Sequence, residues 1–425
     1  MSHLPVDATR GPLPVTASDV DAAASRLAGV INETPLQYAE RLSAATGAQV
    51  WLKREDLQPV RSYKIRGAYN FIAQLTEEER EAGVIAASAG NHGQGVAMAC
   101  AALGIKGRIF VPSTTPRQKR DRMRHFGRDF VELVVVGDSY DEASAAAHKA
   151  VEETGAVMVA AFDDVRTIAG QGTVAKEVVE QLGRQPDTMI IPVGGGGLLA
   201  GCLVWLDTYS PTTTVVAVEP SGAACMAAAL DAGRPTTLAR IDTFVDGAAV
   251  RRAGDVTFEI ARQLHPQMVS VPEGAICSEM LELYQTEGII AEPAGALGAT
   301  ALRQMRAKPG EVIVVVITGG NNDVSRYAEI VERSLVHEGR KHYFLVNFPQ
   351  EPGALRRFLD EVLGPEDDIA LFEYVKRSNR ELGPALVGIE LGDPATLPDL
   401  LYRLDRSPIR AEPVDPDSPF YRFLV

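Results

Sequence analysis

Apolar residues along this chain come in short continuous runs, and between the runs they recur at helical spacing. Runs at 84–87, 108–111, 131–136 and 157–160 make a first series; runs at 189–193, 215–218 and 312–317 make a second. Helices are expected over 93–103, 116–126, 139–153 and 198–208. Continuous Val/Ile runs separated by helices are what a parallel sheet covered on both faces requires. Two such series predict two α/β lobes with a cleft between them. Residues 1–17 carry Pro and Gly without an apolar period and predict a flexible lead-in. Ser18 stands where it can cap a helix through 19–27.

Past Ser334 the rhythm changes. Runs at 342–348, 369–375, 385–391 and near 409–412 alternate with helical stretches at 352–363, with Pro352 in the first turn, and at 395–404. The order β-α-β-β-α-β is the ferredoxin-like arrangement. It predicts a separate α+β domain over 339–425, joined through 336–341 to an α/β body over 18–335. No internal repeat stands out.

At 425 residues the chain is too long for one core, and 46% apolar with 23% charged residues is a globular balance. A formal charge of −14 argues against nucleic acid or an anionic membrane as partner. No apolar run approaches the roughly 18–20 residues that span a bilayer. The N-terminus shows no basic flank followed by an apolar core, so no export signal is expected, and the protein is expected in the cytoplasm. Cys100, Cys202, Cys225 and Cys277 are widely spaced within apolar runs. That suits buried, inert thiols in a reducing compartment, and no metal site is expected.

Candidate chemistry starts at Arg61-Ser62-Tyr63-Lys64-Ile65-Arg66-Gly67-Ala68. A lysine becomes a nucleophile when a partly dry pocket or nearby cations lower its pKa, and its work is then Schiff-base chemistry. Tyr63 can supply an apolar wall, and Arg61 and Arg66 charge. Downstream, Gly194-Gly195-Gly196-Gly197 lies between a buried strand and the helix that begins at Leu198. Such a loop turns its N–H groups and the helix's positive end toward an anion, phosphate above all. No Lys-Ser/Thr follows, so it is not a P-loop. A dinucleotide fingerprint is the rival: Gly195, Gly197 and Ala200 satisfy G-x-G-x-x-A, with Glu219 about 20 residues on. By spacing alone the two readings are close, and Lys64 tilts toward the first, because hydride transfer needs no activated lysine. Ser88-Ala89-Gly90-Asn91-His92 sits at another strand-to-helix junction, where small residues can hold a carboxylate and Asn91 can reach a ring hydroxyl. His92 is either a base or a local hydrogen-bond partner. Thr318, before Gly319-Gly320-Asn321, ends a buried strand as a cap or a ligand contact.

These pieces, with Lys53-Arg54-Glu55-Asp56-Leu57-Gln58 and Glu292-Pro293-Ala294-Gly295-Ala296, occur in one order. Together they resemble the threonine ammonia-lyases (threonine dehydratases), of the tryptophan-synthase-β type (fold type II) of pyridoxal-phosphate enzyme, over about 18–425. Phe348-Pro349-Gln350-Glu351-Pro352-Gly353-Ala354-Leu355 is similar to the single ACT-like regulatory domain of the short biosynthetic form. The resemblance implies a catalytic domain over 18–335 whose smaller lobe, about 54–160, is inserted in the larger. It implies that Lys64 holds pyridoxal 5′-phosphate as an imine, beside Tyr63. Asn91 would contact the 3-hydroxyl, Gly194 to Leu198 the phosphate, and Thr318, where the family usually has Ser, the ring nitrogen. Ser88, Ala89, Gly90, Asn91 and His92 would face the substrate carboxylate. The implied reaction is deamination of L-threonine, and also L-serine, to the 2-oxo acid and ammonia, the committed step toward isoleucine. Isoleucine would inhibit through the C-terminal domain, valine would counteract it, and the assembly would be a homotetramer. Serine racemase chemistry, β-replacement, and an inactive amino-acid sensor remain alternatives.

Overall fold

A computed structural model describes residues 11–374, 382–415, 421 and 424. Residues 1–10 of the expected lead-in, and Val375 at the end of an expected strand, lie outside them. The chain divides into two compact units: one of residues 1–273 and 283–323, the other of Gly274–Glu282 and Val324–Val425.

The first unit starts earlier than the lead-in suggested. Val15 is already buried, and Thr16, not Ser18, caps the first helix, Ala17–Leu27. Its hydroxyl accepts from the Asp19 N–H, and the Asp19 carboxylate accepts from the Thr16 N–H in return. Both Thr16 and Ser18 have an aspartate three positions on, but the Asp21 carboxylate accepts instead from Trp205 Nε1 at 3.1 Å and the Tyr209 hydroxyl at 3.0 Å, so Asp19 closes the reciprocal pair on Thr16.

Ten strands follow in this unit: β1 (Leu36–Tyr38), β2 (Gln49–Arg54), β3 (Val84–Ala87), β4 (Gly107–Val111), β5 (Val131–Val135), β6 (Val157–Met158), β7 (Thr188–Pro192), β8 (Thr214–Pro220), β9 (Gln267–Val271) and β10 (Val312–Ile317). They build a six-stranded sheet in the order β1-β2-β10-β7-β8-β9 and a four-stranded sheet in the order β5-β4-β3-β6. Only β1 runs antiparallel, against β2. The chain therefore leaves the larger sheet after β2, completes the smaller one, and returns at β7. Every residue of β7 and β10 is buried, as a parallel strand packed by helices on both faces must be. Since β2, β3, β7 and β10 all run parallel within their sheets, the segments after their C-terminal ends gather at one end of each sheet. Open α/β sheets bind ligands there.

Several helices escaped the periodic reading because almost every side is covered. Pro293–Leu302 is buried at all its positions. Val165–Leu182 is buried continuously from Thr167 to Ala175. A helix without a wet face shows no polar stripe.

The second unit contains β11 (Lys341–Pro349), β12 (Asp368–Tyr374), β13 (Leu382–Glu390) and β14 (Arg410–Pro413), with helices Ala354–Val362 and Leu397–Arg406. The antiparallel order β12-β13-β11-β14 is that of the ferredoxin-like fold. Phe344, Phe348, Phe358, Val387, Ile389 and Leu400 form its core. Pro352 stands outside the helix it was expected to open, because Gly353 adopts a left-handed φ of 89° and Ala354 begins the helix. Helix Tyr327–His337 belongs to this unit: Glu332 accepts from the Tyr343 hydroxyl at 2.5 Å and from the Lys341 ammonium, and Ser334 bonds Ser278 at 2.9 Å.

Candidate active site

Between β2 and the helix Lys64–Ile72 the chain is stitched to the end of β10. Ser62 bridges Gly319, the Tyr63 N–H donates to the Thr318 carbonyl at 3.1 Å, and the Gly320 N–H donates to the Arg61 carbonyl at 3.0 Å. Arg61 holds a left-handed φ of 55° to make that turn, an uncommon cost for a residue with a Cβ. Lys64 is thereby delivered as the first residue of its helix. Its Nζ donates to the Ala161 carbonyl at 2.9 Å and lies 5.4 Å from the Tyr63 ring centre. Burial lowers its pKa to about 8, against a smaller opposing pull from the Glu292 carboxylate. Arg66 does not supply the charge once expected of it beside the lysine. It points away, fully buried, with two hydrogen bonds to Glu55 at 2.7 and 2.8 Å and two to Glu177 at 2.6 and 2.7 Å. Desolvation, not neighbouring cations, is what activates Lys64.

The glycine run follows β7 and opens helix Gly197–Tyr209, with Gly196 as cap at φ 96°. A Cβ on Gly195 would enter the Phe162 ring, and one on Gly197 would stand 2.9–3.0 Å from Phe162 atoms. No side chain fits there, so the backbone itself forms the surface. None of the N–H groups of residues 194–199 has an acceptor among the described residues. Six amides converging on a helix start without partners form a cradle for a phosphate-sized anion. The rival reading loses its ribose contact. Glu219 is buried and accepts from the N–H groups of Met226 at 2.7 Å and Ala227 at 2.9 Å, capping the helix Cys225–Ala232.

Ser88 to His92 follow β3 and lead into helix Asn91–Leu103. The Ser88 hydroxyl turns inward, accepting from the N–H groups of Gly90 and Gly93 at 3.3 and 3.1 Å. The N–H groups of Ala89, Asn91 and His92 keep no acceptor among the described residues. His92 is buried, donates from Nε2 to the Val159 carbonyl at 2.9 Å, and has its pKa pushed down to about 4 by burial and then by the Lys64 charge. It is a neutral ring tethered at Nε2, which supports the local-partner alternative, and its Nδ1 has no partner among the described residues. Thr318, at the end of β10, is buried with its hydroxyl donating to the Ala294 carbonyl at 3.1 Å.

Two residues that the sequence reading left without a role complete the cluster. Glu292 is buried at the start of helix Pro293–Leu302 and accepts from Asn91 Nδ2 at 2.6 Å. Burial, and then the Asp246 charge, raises its pKa to about 7. Asn321 Nδ2 donates to Asn91 Oδ1 at 2.6 Å and to the Val60 carbonyl at 2.8 Å. Asn91 is thus gripped at both ends of its amide, which fixes which end is the donor and leaves Nδ2 one further N–H. An amine of lowered pKa, an amide cradle and an oriented asparagine suit a ligand with an electrophilic carbon, a phosphate and a ring oxygen. That donor set fits pyridoxal phosphate. Among the described residues no group of His, Cys, Asp or Glu could hold a metal ion, and no helix is long and apolar enough to cross a membrane.

Comparison with known proteins agrees with this chemistry. Residues 27–319 match the family of pyridoxal-phosphate dependent enzymes, and residues 332–424 match the C-terminal regulatory domain of threonine dehydratase. The chain is 59% identical over 414 residues to the biosynthetic L-threonine dehydratase IlvA of Mycobacterium tuberculosis, covering 97% of this chain and 96% of that one. Among solved structures it resembles the processed form of threonine deaminase isoform 2 from Solanum lycopersicum, at 36% identity and a TM-score of 0.70. That likeness covers 78% of this chain and 99% of the tomato one. Maize serine racemase is similar at 30% identity and a TM-score of 0.70, over 76% of this chain and 98% of the maize one.

Proposed function

Because the chain belongs to the pyridoxal-phosphate-dependent threonine dehydratases, we propose that it deaminates L-threonine to 2-oxobutanoate and ammonia at the cluster around Lys64, as the committed step of isoleucine biosynthesis. The observation that carries the placement is one buried amine with a lowered pKa, in the same cluster as a loop of amides that have no acceptor of their own.

In this reading Lys64 carries pyridoxal phosphate, which supplies the electron sink for the bonds at the substrate's Cα. Gly194, Gly195, Gly196, Gly197 and Leu198 hold its phosphate through their N–H groups. Asn91 spends its remaining Nδ2 hydrogen on the 3-oxygen. Tyr63 flanks the lysine, and Thr318 would offer its hydroxyl to the ring nitrogen. The free N–H groups of the turn Ser88 to His92 receive the substrate carboxylate, at the start of a helix whose dipole favours an anion. The Lys64 amine would be the base that accepts the substrate's Cα proton. With a pKa near 8, roughly a quarter of such amines are neutral at pH 7.5, against about one in a thousand for a free lysine. His92 stays neutral and ties the turn Ser88 to His92 to the Val159 carbonyl. Glu292 holds the Asn91 donor toward the ring.

The regulatory unit binds isoleucine and slows turnover, and valine opposes it. L-serine is a second substrate. The enzyme works as a cytoplasmic homotetramer. These readings rest on the kinship and on the appended regulatory domain. A keto-acid assay on purified chain supplied with L-threonine, L-serine, isoleucine and valine tests the substrates and the effectors, and sedimentation of the same sample tests the tetramer. Expected are 2-oxobutanoate from threonine and a fall in rate with isoleucine. Absence of keto acid from threonine refutes the activity, and an isoleucine-independent rate refutes the regulation alone.

A further inference from the structure

The two ends of the proposed cofactor site sit on different helices, and a third helix separates them. Lys64 opens Lys64–Ile72, the cradle opens Gly197–Tyr209, and Val165–Leu182 packs against both. Its face toward the lysine helix carries Gly170, Thr173 and Glu177. A Cβ on Gly170 would stand 2.6 Å from the Arg66 carbonyl oxygen and 2.8 Å from the Gly67 Cα. Further along that face, Thr173 and Glu177 accept from Arg66 Nη1 at 3.0 and 2.6 Å.

Gly172 faces the other way, since two residues turn a helix through about 200°. A Cβ on it would stand 2.6 Å from the Gly201 carbonyl oxygen. The reciprocal Cβ on Gly201 would run into the Ile168 carbonyl and come within 2.5 Å of the Gly172 nitrogen. Both contacts are backbone on backbone, so no side chain can swing aside to admit a methyl. Ordinary contact begins near 3.4 Å, so either methyl would push its neighbour by close to an ångström. The thickness of the polypeptide backbone alone therefore sets the separation of the two flanking helices.

We propose that helix Val165–Leu182 is a gauge, with Gly170 and Gly172 as positioning residues that fix the span between the Lys64 amine and the Gly194–Leu198 cradle. The proposal rests on the cofactor reading above. A ligand that must engage both ends is sensitive to their spacing, whereas a ligand that engages one end is not. Two-point attachment gains from effective concentration only when the geometry allows both contacts, and a misplacement of about 1 Å can cost on the order of a hundredfold.

The test uses the full chain stripped of cofactor, as wild type, Gly170→Ala and Gly172→Ala. Absorbance and fluorescence titrations measure three probes: pyridoxal phosphate, pyridoxine phosphate, which has no aldehyde for Lys64, and pyridoxal, which has no phosphate for the cradle. Expected is at least tenfold weaker binding of pyridoxal phosphate in each variant, with its bound absorbance band displaced. The two half-probes should stay within about threefold of wild type. Unchanged pyridoxal phosphate binding overturns the gauge. So does an equal loss of all three probes, which would mean that the cradle or the lysine pocket itself had been damaged. Gly107→Ala is the packing control, since its Cβ would meet Cys100 Sγ at 2.8 Å in the smaller lobe. It should lower Tm and leave the probe pattern alone; the same pattern there also overturns the gauge. Should neither helix variant fold, Thr173→Val removes one Arg66 contact from the same face. It is expected to weaken pyridoxal phosphate about threefold and spare the half-probes, and no selective loss refutes the proposal. A wild-type chain that binds none of the three probes would refute the cofactor reading instead.

Discussion

At the scale of single residues, desolvation is the common cause of the site's unusual groups. It lowers Lys64 to about 8, raises Glu292 to about 7 and lowers His92 to about 4. Glu292 gains charge as pH rises through about 7, and the carboxylate is the better acceptor for Asn91 Nδ2. The wild-type pH profile of kcat/KM should therefore carry an acidic limb near 7. Glu292→Gln should flatten that limb and lower kcat about tenfold, and a wild-type profile in the variant would remove Glu292 from the account. Arg66 illustrates a different cost. It is fully buried between Glu55 and Glu177, so Arg66→Met leaves the two carboxylates to Lys53 and to the neutral donors Thr34 and Gln58. Losing one partner of such a buried pair costs about 3–5 kcal/mol. A markedly lower Tm is expected, and a small change would show that the network is dispensable.

At the scale of elements, the junctions were more legible than the helices between them. Ser88 to His92, the glycine run and Thr318 each stood next to a recognisable apolar run, and they follow β3, β7 and β10; β2, which precedes Lys64, was not among the expected runs. The six consecutive Val and Ile residues of β10 favour a covered strand through their β-branched content. Glu292 was not legible as a titrating group. A glutamate before proline looks like a helix cap, and its raised pKa comes from burial and then from the Asp246 charge, against the opposing hydrogen bond from Asn91; both residues come from remote parts of the chain. Val165–Leu182 was illegible for the opposite reason, since continuous burial from Thr167 to Ala175 erases periodicity over its first half. The first helix was misplaced at its cap because Thr16 and Ser18 each have an aspartate three positions on, and only the fold shows that Asp21 is taken by Trp205 and Tyr209. Thr16→Ala should cost about 1 kcal/mol, read as a lower Tm, while Ser18→Ala should be nearly neutral; the reverse order would contradict the observed cap.

At the scale of the whole molecule, the chain joins a catalytic unit to a ferredoxin-like unit that includes helix Tyr327–His337. Removing residues 339–425 takes Lys341 and Tyr343 away from Glu332. The truncated chain should melt at a lower temperature, still release keto acid from threonine, and ignore isoleucine. Inhibition that persists after truncation would place the effector elsewhere. All of this chemistry converges on one covalent attachment. Reducing the purified, cofactor-loaded chain with borohydride and mapping the adduct by mass spectrometry tests it directly. A pyridoxyl group on the peptide that contains Lys64 is the predicted result; no adduct, or one on any other lysine, would contradict the account.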